Sequence, residues 1–96
     1  MPTAFYRGGN SLKPKPGEVR IDPRTALLQP THGVSVYDRP DGLDRFGGAF
    51  QVVSIPDTLK VIQRGRDPHH HEIVPALPMP PQEYEEALNQ VVLAAV

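Results

Sequence analysis

The chain has 96 residues, with 10 Lys and Arg against 11 Asp and Glu, and it is 39% hydrophobic and 6% aromatic. That size suits one domain over residues 1–96 with a thin core, and a net charge of −1 lacks the basic excess of a protein held to nucleic acid by its phosphates. The absence of cysteine excludes disulfides, thiolate zinc sites and thiol nucleophiles.

Met1 to Arg7 has no apolar run of signal-peptide length, and the longest apolar stretch, Val91 to Val96, is far too short to span a bilayer. The expectation is a chain with no cleaved signal and no membrane span. Twelve prolines and eight glycines predict short strands and fixed turns rather than a helical bundle. Ala4 to Gly9 is predicted as a strand ended by glycines, and Asn10 to Pro16 as loop. Val19 to Ile21 is a candidate strand stopped at Asp22-Pro23. Thr25 to Gln29 fits a helical turn or an extended piece.

Gly33 to Asp38 is the clearest strand, with Val34 and Val36 on one face and Gly33, Ser35 and Tyr37 on the other. Arg39-Pro40-Asp41-Gly42 is turn chemistry, and Leu43 to Phe46 a helical turn broken by Gly47-Gly48. Strands follow at Ala49 to Ile55, Thr58 to Gln63 and His70 to Val74. The last predicted element is a helix opened by Pro81, with Tyr84, Leu88, Val91 and Val92 as its apolar stripe. The architecture is α+β, strands with a C-terminal helix packed on a sheet.

Several residues carry chemistry. Arg7, at a strand end, is either a solvated charge or a planar fork for a phosphate or carboxylate. Ser35 and Tyr37 put a hydroxyl beside an aromatic on one face, a pair that also occurs as plain strand decoration. No Gly-x-Ser-x-Gly elbow and no phosphate-binding glycine loop occurs. In His69-His70-His71, alternation leaves at most two histidines on one side, and nothing completes a metal set. Glu72 shares the face of His70, as a solvated carboxylate or as a group gripping a ribose hydroxyl or a nucleophile.

The order of these pieces resembles a bacterial toxin family, the type VI secretion exported effectors of the Tse-two kind. Tyr6-Arg7 is similar to its opening strand. Thr31 to Arg39, with Gly33-Val34-Ser35-Val36-Tyr37-Asp38-Arg39, is similar to its Gly-Thr-Ser-Val-Phe-Asp-Arg run. Ile55 to Val61 follows, and then His70-x-x-Ile73-x-Pro75-Ala76-x-Pro78-Met79. Val34 stands where the family has threonine, Tyr37 where it has phenylalanine, and Glu72 where it has threonine. Asn10 to Pro30 does not align.

The resemblance implies a small split antiparallel sheet like that of the ADP-ribosyltransferases. It also implies a cytoplasm-acting toxin, NAD as cofactor, and a cognate antitoxin or immunity protein as partner. It carries catalytic roles to Arg7, Ser35 and Glu72, and cofactor binding to Arg7, Gly33, Ser35, Tyr37 and His70. Two other readings compete: a toxin that acts by binding alone, and a small RNase using Arg7, Arg64, Arg66 and the histidines.

Overall fold

The computed structural model describes residues 3–96. Its six strands are β1 (Phe5–Gly8), β2 (Val34–Tyr37), β3 (Ala49–Ser54), β4 (Leu59–Gln63), β5 (His70–Pro75) and β6 (Val92–Ala95). They form one sheet in the order β4-β5-β2-β1-β3-β6, with every pairing antiparallel. The single α-helix among the described residues, α1 (Pro81–Asn89), precedes β6. The expected α+β class therefore holds. Among the described residues no helix is long and apolar enough to cross a membrane.

Strand alternation decides which face is buried. Val34, Val36 and Ile73 are wholly buried, and Leu28, Leu59, Met79, Tyr84 and Leu88 close over them. Ser35 and Tyr37, on the opposite face, stay half-exposed.

Two predicted elements come out differently. Val19 to Ile21 is not a strand: Ile21 makes one isolated bridge to Leu28, which also bridges to Met79, so this segment folds back over the core as a loop. Ala26 adopts a φ of 59° in that fold-back. The final helix stops at Asn89 rather than running on through Val92. The β-branched Val91-Val92 pair that fitted a helical stripe leads instead into β6, which pairs with β3.

Tyr84 ties α1 to the sheet. Its hydroxyl donates to the Ile73 carbonyl at 2.6 Å and accepts the Val34 N–H at 3.0 Å. Burial pushes its phenol up to about 12, against an ordinary value of 10, although the Val34 hydrogen bond pulls the other way. A raised phenol favours the protonated folded form. Between pH 10 and about 12 the unfolded chain loses this proton first, so stability falls as pH rises. That rise corresponds to about 3 kcal/mol at most. Urea unfolding of the wild type and of Tyr84→Phe from about pH 9 to about pH 11.5 checks this. The stability gap between them is expected to narrow as pH rises, and a constant gap would refute the assignment.

Candidate functional site

The sheet has a gap in its middle. β1 runs alongside β3 over four residue pairs but meets β2 at one, Tyr6 with Tyr37. Continuing that register would set Gly8 opposite Ser35. Instead β1 follows β3, and Gly8 packs under the Phe46 ring, where an added Cβ would lie 2.8 Å from that side chain. The inner backbone edge of β2 at Ser35 is left without a strand partner.

Two side chains take the place of the missing strand. Arg7 Nη1 donates to the Ser35 carbonyl at 2.7 Å, and its Nε to the Ser11 carbonyl at 3.1 Å. The Ser35 N–H donates to Glu18 Oε2 at 3.2 Å, and that oxygen lies 3.7 Å from Arg7 Nη1. Glu18 ends a short 3-10 turn, Pro16–Glu18, where its Oε1 also accepts the Lys15 N–H at 3.0 Å. Backbone polar groups removed from water need partners, and here an ion pair supplies them. A cleft of about 220 Å³ opens beside the pair, lined by Arg7, Lys15, Glu18, Ser35, Tyr37 and Phe46. Larger depressions of about 380 and about 430 Å³ lie at Asn10–Pro14 against Glu85, and along Gly42 to Phe50 against Val96. Neither contains any of the site residues expected from the sequence, so the smaller cleft is the candidate site.

On the other side of Ser35 lies β5, in register Ser35 with Glu72 and Tyr37 with His70. His70 Nε2 is 3.0 Å from Ser35 Oγ, and its Nδ1 is 2.7 Å from the Arg64 carbonyl. Its ring meets Tyr37 edge-on, with centroids 5.5 Å apart. Glu72 is 3% exposed. Its Oε1 accepts the Gly33 N–H at 2.9 Å, its Oε2 accepts Arg64 Nε at 2.9 Å, and Oε2 stands 3.8 Å from His70 Nε2. A buried carboxylate with both oxygens bonded is a satisfied group. His32 lies near the same pair: burial, then the Arg64 charge, lowers its pKa, while Glu72 opposes the shift.

Arg7, Ser35, Tyr37, His70 and Glu72 thus gather within two adjoining networks. Gly33 does not reach the cleft: it is buried, with its N–H held by Glu72. The three consecutive histidines diverge. His69 pairs with Asp38 at 2.7 Å, and His71 packs edge-on against Phe5 with centroids 4.8 Å apart. Glu18 and the Arg64 carbonyl had no sequence signal, because their partners lie 17 and 6 residues away in the chain.

The fold and the site define a small α+β protein whose six-stranded sheet has one residue pair between β1 and β2, with an ion pair beside it and a Ser–His–Glu–Arg network next to that. Comparison with protein-family models, curated proteins and solved structures gives no match to this chain.

Proposed function

We propose that the chain is a growth-inhibiting bacterial toxin that acts in the cytoplasm by NAD-dependent ADP-ribosyl transfer or NAD cleavage. A cognate antitoxin or immunity protein restrains it in the cell that makes it. The observation that carries this reading is the gap between β1 and β2, with Arg7, Ser35 and Tyr37 on its cleft and His70 and Glu72 next to it. The toxin-like sequence motifs hold the same residues.

The donor set fits a dinucleotide. Arg7 and Lys15 are cations that line the same cleft as Tyr37 and Phe46, suited to a phosphate and a ring. When bound, NAD supplies a glycosidic bond to nicotinamide whose cleavage leaves positive charge on the ribose. The buried Glu72 carboxylate, paired with Ser35 across β2 and β5, has Oε2 3.8 Å from His70 Nε2 and so favours positive charge there. Ser35 Oγ, held by His70, fixes a hydroxyl at the cleft wall.

A cleft of about 220 Å³ is smaller than the pockets that bury whole drug-sized ligands. Glu18 sits where an anionic ligand would sit, against Arg7 and the Ser35 N–H. Ligand entry therefore requires Glu18 to move aside. Glu18→Gln removes the competing charge while an amide oxygen still accepts the Ser35 N–H. NAD affinity, by calorimetry, is expected to rise about 10-fold, a gain of about 1.4 kcal/mol. Nicotinamide release from labelled NAD, with and without cell extract, tests the activity itself. A toxic preparation that releases no nicotinamide and labels no acceptor would sink the NAD reading.

A target-binding toxin without chemistry is the second reading. It is favoured by Arg7 and Glu72, whose charges are already engaged within the chain. Lethality that persists without NAD turnover supports it. An RNase gains less, because Arg7, Arg64 and His69 each face a carboxylate, from Glu18, Glu72 and Asp38.

A further inference from the structure

We infer that Ser35 is a nucleophile with His70 as its general base, giving the cleft an esterase activity separate from any use of NAD. The Arg64 carbonyl can only accept a hydrogen bond, and His70 Nδ1 lies 2.7 Å from it. In the neutral ring the proton is therefore on Nδ1, and Nε2 carries the lone pair. That lone pair faces Ser35 Oγ at 3.0 Å, so the hydroxyl donates to it.

Nucleophile, base and a third group that orients the base are the three parts of an activated serine. Here a backbone carbonyl holds the place that a carboxylate often fills. A carboxylate is also at hand: Glu72 Oε2 lies 3.8 Å from Nε2 and steadies the imidazolium that forms when the proton arrives. Arg64 Nε and the Gly33 N–H hold the two Glu72 carboxylate oxygens in place. Tyr37, edge-on to the ring, limits its rotation.

The residue also has access. Ser35 is half-exposed and lines the 220 Å³ cleft, whereas its strand neighbours Val34 and Val36 are wholly buried. The cleft volume suits a small acyl group, and Arg7 and Lys15 line the same wall, where negative charge develops. The substrate class is a short-chain carboxylic ester.

Ser35 Oγ bonds to the ester carbonyl carbon while its proton passes to His70 Nε2. The carbon–oxygen bond to the alcohol then breaks, and His70 returns the proton to the departing alkoxide. Water next attacks the acyl-Ser35 ester, giving its proton to His70. The acid leaves as Ser35 Oγ takes that proton back. The sum is ester plus water to acid plus alcohol, with no redox change.

A fluorophosphonate, which phosphonylates activated serines, is the probe. Intact and peptide mass spectrometry of the folded full chain is expected to find one adduct, on Ser35, and none in Ser35→Ala. His70→Gln keeps a side chain that can bond to the Arg64 carbonyl but supplies no base. It is expected to slow labelling about 100-fold, with p-nitrophenyl acetate hydrolysis falling in parallel. Circular dichroism confirms that each variant is folded, and His70→Asn substitutes if His70→Gln is not. No adduct on the folded wild type would overturn the proposal. So would an adduct elsewhere, or a Ser35 adduct formed at the same rate without His70. NAD turnover is read separately on the same samples, so failure of the esterase and failure of the NAD reading are told apart.

Discussion

Arg7→Ala is expected to lose stability and, on the proposed reading, the NAD-dependent activity, and the two losses separate by experiment. The guanidinium bonds the Ser11 and Ser35 carbonyls at 3.1 and 2.7 Å and lies 3.7 Å from Glu18, with 14% of the side chain exposed. Removing it leaves the Ser35 carbonyl without its partner and the Glu18 carboxylate without its counter-ion. Each orphaned buried polar group costs about 1–3 kcal/mol, and water entering the cleft recovers part of that. A net loss of about 2–4 kcal/mol follows, which for a chain of this length lowers Tm by roughly 10–25 °C.

Much of that loss is the unpaired Glu18 charge, which a double-mutant cycle exposes. Arg7→Ala with Glu18→Gln is expected to be more stable than Arg7→Ala alone, since an amide needs no counter-ion. Additive losses would show that the ion pair does not bridge the gap. Activity behaves differently: the double variant has no cation at this position and stays inactive in nicotinamide release at a temperature where it is folded. Arg7→Lys separates charge from geometry. An ammonium keeps the charge but not the planar fork that spans two carbonyls, so stability is expected to fall between the wild type and Arg7→Ala.

What was legible in the sequence follows from the range of the forces involved. Alternation in Gly33 to Asp38 depends on neighbours two residues apart, and it placed Val34 and Val36 in the core and Ser35 and Tyr37 outside. The same alternation put His70 and Glu72 on one face, and strand pairing carried both to Ser35 and Tyr37. The turn at Arg39 to Gly42 and the break at Gly47-Gly48 rest on local chemistry, and all three of these glycines take positive φ.

β6 was hidden because Tyr84, Leu88, Val91 and Val92 fit helical spacing, and only pairing with β3 decides the matter. Glu18 was invisible for a stronger reason. A glutamate after Pro16-Gly17 looks solvated until a broken strand pairing 17 residues away leaves an N–H for it to accept. Glu72 read as either solvated or catalytic, and it is buried because Gly33 and Arg64 both donate to it.

Gly33→Ala is expected to be the most damaging conservative change in the chain, and the reason is packing rather than backbone conformation. An added Cβ would overlap the Ile73 carbonyl oxygen and come within 2.7 Å of the Tyr84 hydroxyl oxygen. Neither atom can yield. The carbonyl belongs to β5, and the hydroxyl is fixed by its own bonds to Ile73 and Val34 at 2.6 and 3.0 Å. β2 must then move away from β5, breaking the Gly33 N–H to Glu72 bond and straining the Val34–Ile73 register.

Overpacking costs about 1–3 kcal/mol, and loss of the buried bond to a charged carboxylate adds about 1.5–3 kcal/mol. The total, about 3–6 kcal/mol, rivals the whole stability of a small domain, about 5–14 kcal/mol at this length. Gly17→Ala is the matched control, because nothing lies within 4 Å of its added Cβ, and it is expected to shift stability by no more than about 0.5 kcal/mol. Ser35 hangs on the same strand pairing as Gly33, so its 3.0 Å contact with His70 depends on that register. Gly33→Ala is therefore expected to lose fluorophosphonate labelling of Ser35 even at temperatures where circular dichroism still finds a sheet. Labelling at the wild-type rate in that variant would mean that β2 and β5 hold their alignment despite the added methyl group. The close approach at Gly33 would then not be what sets the site.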